Sequence, residues 1–190
     1  MSQTYAVFTG SALGADPRFP EAAEALGRVL ARRGHTLVYG GARVGLMGVL
    51  ADAALAEGGE VVGVLPEFME GREIAHEGLT NLHTVHSMHG RKALMADLSD
   101  GFIMLPGGFG TLDETFEALT LAQLGLHQKP VALLNVAGYY DALLAFVARA
   151  EAEGFVRPPH HGMIRAHADP EALVLDLETW VPPGAGSKWV

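Results

Sequence analysis

The residues with the clearest chemical capacity lie between Gly101 and Glu117, in the stretch GFIMLPGGFGTLDETFE. Gly107, Gly108 and Gly110 permit a sharp turn and leave no Cβ to keep a ligand from the backbone amides. Thr111 is expected to be the N-cap of the helix that follows, so that unpaired N–H groups and the positive end of the helix dipole point into the same space. These features describe an anion site, and phosphate suits it because one phosphate accepts several N–H bonds at once. Three carboxylates follow: Asp113 and Glu114 are expected in the first helical turn, Glu117 one turn later. Thr111-x-x-Glu114 has the spacing of a capping box, in which the Glu serves only the helix end, and spacing alone favours that reading. The alternative is that Glu114 faces the sugar of a bound nucleotide or sugar phosphate. A helix N-terminus would hold it ionised there, fit to stabilise a cation or activate water. Arg91 and Lys92 form a second charged group. Two adjacent cations near a helix start, where the dipole disfavours them, are either a solvated pair or part of the site.

The elements that must position these groups alternate regularly. Tyr5 to Thr9, Thr36 to Tyr39, Glu60 to Leu65, Leu82 to Val85, Phe102 to Leu105, Val131 to Leu134 and Met163 to Ala166 read as strands. The run at 102–105, closed by Pro106, is apolar throughout, as in a parallel strand covered on both faces. Helices are expected around Ala22 to Leu30 with Gly34 as the stop, after Gly45, over Met88 to Leu98, Leu112 to Leu124, Tyr140 to Glu153, and Pro170 to Thr179 opened by Asp169. In the helix after the glycine turn, Phe116, Leu119 and Leu124 suit the core side. Glu67 to Asn81 reads as an irregular, polar loop of a length that often carries function. Phe155 to Gly162 reads as a second loop, with His160-His161 at the surface. The expected fold is a single α/β domain over residues 1–181, a Rossmann-like, doubly wound parallel sheet of six or seven strands, with a flexible tail at 182–190. In such sheets ligands bind beyond the carboxyl ends of the strands. The glycine-rich turns at Gly10, Gly40-Gly41 and Gly107-Gly108 all follow strands, so one pocket can use all three.

Composition narrows the partners. The chain has 190 residues, 49% of them hydrophobic and 18% charged, which suits one compact domain. Its net charge is −9 with three lysines, Lys92, Lys129 and Lys188, which argues against broad binding to nucleic acid. There are no cysteines, which excludes disulfides, thiolate metal sites and a Cys nucleophile. No run approaches the roughly 18 apolar residues of a spanning helix, and the start of the chain lacks a basic, then apolar leader; a cytoplasmic protein is expected. His83, His86 and His89 alternate, but a change from strand to helix within that span argues against a shared metal-binding face.

Two segments carry a family resemblance. Pro106-Gly107-Gly108-Phe109-Gly110-Thr111-Leu112-Asp113-Glu114 matches the PGGxGTxxE signature, and Met88-His89-Gly90-Arg91-Lys92 matches the MHxRK segment, of the LOG family, the cytokinin riboside 5′-monophosphate phosphoribohydrolases, often mislabelled as lysine decarboxylases. The likeness runs from Phe8-Thr9-Gly10-Ser11 through Tyr39-Gly40-Gly41 and Gly45-Leu46-Met47-Gly48 to Lys129-Pro130, and covers roughly residues 4–155. It departs from the family at Ala42, where a third glycine is common, at Thr9, where a Cys is common, and at Asp113, which replaces a Glu. The resemblance implies a homodimer that hydrolyses the N-glycosidic bond of AMP-type nucleotides without metal or other cofactor. It implies Arg91 and Glu114 as the catalytic pair. It implies nucleotide contacts at Gly10, Ser11, Glu73, Arg91, Lys92, Gly107, Gly108, Phe109, Gly110, Thr111, Leu112, Asp113 and Thr120. Glu73 and Thr120 would draw no notice without it. Cleaving a ribosyl bond to a purine develops positive charge on the sugar and negative charge on the base. An ionised Glu114, helped by Glu73, answers the first need, and Arg91, which stays protonated, answers the second. A non-catalytic nucleotide or phosphorylated-cofactor binding protein is the competing expectation. A pyridoxal-phosphate decarboxylase would need a Schiff-base lysine, a role for which Lys92 and Lys129 have no supporting context.

Overall fold

A computed structural model describes residues 2–70 and 75–182. Among them seven strands, β1 (Thr4–Phe8), β2 (Thr36–Tyr39), β3 (Val61–Pro66), β4 (Asn81–Val85), β5 (Gly101–Met104), β6 (Val131–Leu134) and β7 (Ile164–His167), form one parallel sheet in the order β4-β3-β2-β1-β5-β6-β7. The order reverses between β1 and β5, whose register pairs Tyr5 with Gly101 and Phe8 with Met104. The crevice beyond this reversal is where doubly wound sheets bind ligands.

Alternation along the central strands divides their side chains between two cores. Tyr5, Val7 and Ile103 face the layer built on helices α1 (Arg18–Arg32), α2 (Gly45–Ala56) and α8 (Pro170–Glu178). Ala6, Phe8, Phe102 and Met104 face the layer of α4 (Met88–Asp97), α5 (Phe109–Gln123) and α6 (Asp141–Ala152). Burial on both faces accounts for the uniformly apolar β5 and β6. Gly27 lets α1 and α2 approach closely, since a methyl group there would lie 2.4 Å from Leu50 O.

The expected elements are all present, with four local differences. α5 begins at Phe109, not Leu112; Gly108 is its N-cap, and no side chain caps the end. Gly108 O already accepts from Leu112 N at 3.1 Å, so Thr111 lies inside the first turn with its side chain buried against Gly107. The Thr111/Glu114 capping box is therefore not formed. Within α5 the buried face carries Thr111, Glu114, Thr115, Ala118 and Ala122, whereas Phe116 and Leu124 are exposed, contrary to their expected core role. A one-turn helix α3 (Glu67–Glu70) occupies the start of the expected loop. A second, α7 (Pro158–His161), carries Pro at its N-terminal positions and buries His160, which was expected at the surface. Glu73 and the tail from residue 183 lie outside the described residues.

Candidate active site

Two strand-to-helix turns meet at the sheet reversal. After β1, Gly10 N donates to Pro106 O at 3.1 Å, which binds the first turn to the one after β5. A methyl group on Gly107 would lie 2.1 Å from Thr111 Oγ1, so only glycine lets the chain fold back over the start of α5. Among the described residues no protein acceptor takes the N–H groups of Gly107 through Thr111. Gly108 through Thr111 and the N-terminal end of the α5 dipole border a cleft of about 300 Å³, which Gly107 itself does not line. Gly10, Ser11, Gly40, Arg91, Gly108, Phe109, Gly110, Thr111 and Glu114 all line it. The three glycine turns thus do share one pocket.

Arg91 reaches the cleft from the first turn of α4, whose N-cap Ser87 accepts from Gly90 N at 3.0 Å. Its Nε donates to Val64 O at 3.1 Å, and its Nη1 donates to Glu114 Oε1 at 3.3 Å. Both side chains are nearly buried, at 12% and 9% exposure. Burial pushes the Glu114 carboxyl up to about 7 against the pull of Arg91. Burial likewise pulls the guanidinium down while Glu114 resists, although an arginine stays charged at neutral pH. The result is a buried cation beside a carboxyl able to exchange its proton near neutrality. A carboxyl poised there can act on water or hold a developing positive charge.

Lys92 is held differently. Its Nζ meets Asp113 Oδ2 and Glu117 Oε2, each at 2.9 Å, and it lines a separate slot of about 110 Å³ between α4 and α5. Phe8 and Glu114 line both cavities, so Glu114 stands in the wall between them. The other walls of the slot are largely apolar, from Ala93, Ala96, Phe102 and Leu121. Asp113, Leu112 and Thr120 do not line the cleft, and Thr120 is exposed on the outer side of α5.

Sequence reasoning placed Gly40 on the binding edge without a role of its own, and gave no role to Met47, Met69, Met88 or Tyr139. The three methionines line the cleft, but as apolar helix residues they carried no signal beyond packing. Gly40 has a strict requirement: a methyl group on it would lie 1.9 Å from Arg91 Nη2. Its signal was a glycine directly after a strand, which a plain turn explains equally well. Tyr139 Oη donates to Gly107 O at 2.6 Å from the far side of the turn.

A doubly wound sheet whose reversal carries an open backbone cradle next to a buried Arg–Glu pair is an architecture that can accept a phosphorylated ligand. A family profile described as "Possible lysine decarboxylase" matches residues 47–177. The chain is 51% identical over 174 residues to the cytokinin riboside 5′-monophosphate phosphoribohydrolase of Rhodococcoides fascians, covering 91% of this chain and 88% of the relative. It is 47% identical over 176 residues to the enzyme of the same name from Arabidopsis thaliana, covering 93% and 83%. The chain belongs to this family, the LOG-type cytokinin riboside 5′-monophosphate phosphoribohydrolases. The fold is also that of the molybdenum cofactor binding protein of Rippkaea orientalis, with a TM-score of 0.72 at 23% identity over 94% of this chain and 97% of that one.

Proposed function

We propose that the protein hydrolyses the N-glycosidic bond of AMP or N6-substituted AMP, the cytokinin riboside 5′-monophosphates, giving the free adenine-type base and ribose 5-phosphate. The observation that carries this reading is the Arg91–Glu114 contact at 3.3 Å beside the cradle formed by residues 108–111. The 5′-phosphate lies on the N–H groups at the start of α5, which leaves the ribose near Glu114. As the C–N bond breaks, the carboxylate stabilises the cationic sugar and orients a water molecule towards it. Arg91 stabilises the charge that passes to the purine by donating hydrogen bonds, without giving up a proton. Gly10 and Ser11 close the cleft from the β1 side. Lys92, Asp113 and Glu117 form an ion cluster behind Glu114.

A binding protein without catalysis would not need an arginine and a glutamate buried together against the cradle, so the enzyme is favoured over that alternative. The decarboxylase named by the profile is not supported by the lysines. Lys92 is engaged by two carboxylates, and Lys129 Nζ donates to Ala96 O at 2.6 Å. Neither lines the cleft. The reading includes a cytoplasmic homodimer. The outer side of α5, with Phe116 and Leu124 exposed and Leu126 just beyond, offers the apolar surface for a second copy. Thr120 lies on that same side, so its expected nucleotide contact would be made in the partner's site.

The reading is tested by incubating the protein with AMP and, separately, with isopentenyl-AMP, and identifying products by chromatography. Free base with an equal amount of ribose 5-phosphate is expected, and the ratio of the two rates gives the substrate preference. Nucleotide binding without release of base from either compound would refute the hydrolase and support a carrier.

A further inference from the structure

Four successive carbonyls lead into α5, and each has a protein donor. Tyr140 Oη donates to Leu105 O at 2.6 Å, and Tyr139 Oη donates to Gly107 O at 2.6 Å. Between them, Pro106 O accepts from Gly10 N at 3.1 Å and Thr9 Oγ1 at 3.4 Å. Gly108 O accepts from Leu112 N. In a planar trans peptide, the C=O and the N–H that follows it point in opposite directions. Holding Gly107 O on Tyr139 therefore turns Gly108 N–H away from Tyr139 and towards the cleft that Gly108 lines.

Tyr139 is itself held in place. Its turn follows β6, with Asn135 Oδ1 accepting from Tyr140 N and Asn135 Nδ2 donating to Asp141 Oδ1, both at 2.7 Å. Ala137 in that turn has φ +54, a left-handed conformation unusual for a residue with a side chain. The ring of Phe19 packs edge-on against Tyr139 at 5.6 Å between centroids. The tyrosine is nonetheless 44% exposed, so its hydroxyl is not there to satisfy a buried core.

We infer that Tyr139 is a positioning residue for the phosphate cradle: its hydroxyl sets the Gly107–Gly108 peptide so that Gly108 N–H is presented to a phosphate oxygen. The neighbouring Tyr140 supplies the internal control. Its bond fixes Leu105 O, but the next residue is Pro106, which has no N–H to orient. One tyrosine thus aims a donor, and the other only holds the turn. The inference rests on the proposed function in taking the cradle as the site of the 5′-phosphate.

The test is titration calorimetry with ribose 5-phosphate, with ribose as the control ligand, on wild type, Tyr139→Phe and Tyr140→Phe. Tyr139→Phe keeps the ring and its packing, so its melting temperature should stay near that of wild type. Its affinity for ribose 5-phosphate should fall about tenfold, as for the loss of one oriented, charge-assisted donor. With AMP as substrate the loss should appear in KM, with kcat retained. Tyr140→Phe should melt at a lower temperature yet bind ribose 5-phosphate within about twofold of wild type, since it leaves only a carbonyl unpaired. Unchanged affinity in Tyr139→Phe overturns the inference, and so does an equal loss in Tyr140→Phe, which would indicate general loosening. A wild-type protein that does not bind ribose 5-phosphate overturns it together with the cradle. A wild type that binds in a Tyr139-dependent way but releases no base from AMP loses the hydrolase reading and keeps the positioning role.

Discussion

Two effects compete at Glu114. A helix N-terminus favours an ionised carboxylate, and the sequence places this residue just after the glycine turn, so an ionised Glu114 was the natural expectation. The helix starts at Phe109, however, which puts Glu114 beyond the first turn, where the dipole has faded, and in a largely buried position. Burial dominates and raises its pKa to about 7. Because the folded-state value lies above the ordinary 4.5, the neutral form favours the native state. That contribution is full below about 4.5 and is lost as pH rises through about 7. Activity should run the other way. If the carboxylate is the working form, kcat/KM for AMP, corrected for the phosphate ionisation near about 6, should rise through about 7 and level off. A profile falling through the same range would make Glu114 a proton donor instead. At this scale two short motifs in the sequence named Arg91 and Glu114, and the structure brings them into contact. Sequence reasoning misjudged the environment of Glu114, because the capping box depends on a helix start that backbone packing, not the Thr side chain, decides.

The glycine turns act as elements, and their requirements come from distant partners. Gly40 follows β2, yet the group that forbids its Cβ is Arg91 on α4. Gly40→Ala should leave the fold intact, since the atom in conflict is the end of a long side chain. It should also displace the guanidinium by about an ångström or more and lower kcat/KM for AMP on the order of 100-fold. Activity within a few-fold of wild type, read by the same base-release assay, would show that Arg91 does not work from its observed position. Element positions were largely readable: β2 and β6 match expectation, and Asp169 caps α8 by accepting from Ala172 N at 2.8 Å. The facing of α5 was not readable. Phe116 and Leu124 look like core residues by hydrophobicity, but the inner face of α5 is given to Thr111, Glu114, Thr115, Ala118 and Ala122, of which Thr111 and Glu114 line the cleft.

At the scale of the molecule, the reversal of strand order between β1 and β5 gathers turns about a hundred residues apart into one cleft; the βαβ rhythm of the sequence pointed to a doubly wound sheet with these turns on one edge, but not to the strand order. The apolar residues displaced to the outer side of α5 are the cost of placing polar groups inside. Pairing with a second copy would cover them. Light scattering on the eluting protein should give about twice the 20.1 kDa chain mass, and Phe116→Glu, which puts a charge on that side, should shift it to the monomer. A wild-type mass of one chain would remove the dimer and the trans role of Thr120. Seen from the surface alone, α5 offered no way to separate a core helix from an interface helix, since both present an apolar stripe.

If the buried Arg91–Glu114 pair performs the bond cleavage, Glu114→Gln is the variant that should show it. The amide oxygen can still accept from Arg91 Nη1, so the fold and the cradle should survive while the negative charge is lost. AMP should bind within about threefold of the wild-type affinity, while kcat for base release falls by about 1,000-fold or more. A folded Glu114→Gln protein that keeps kcat within about tenfold of wild type would contradict the account, because the charge would then not be what the transition state requires.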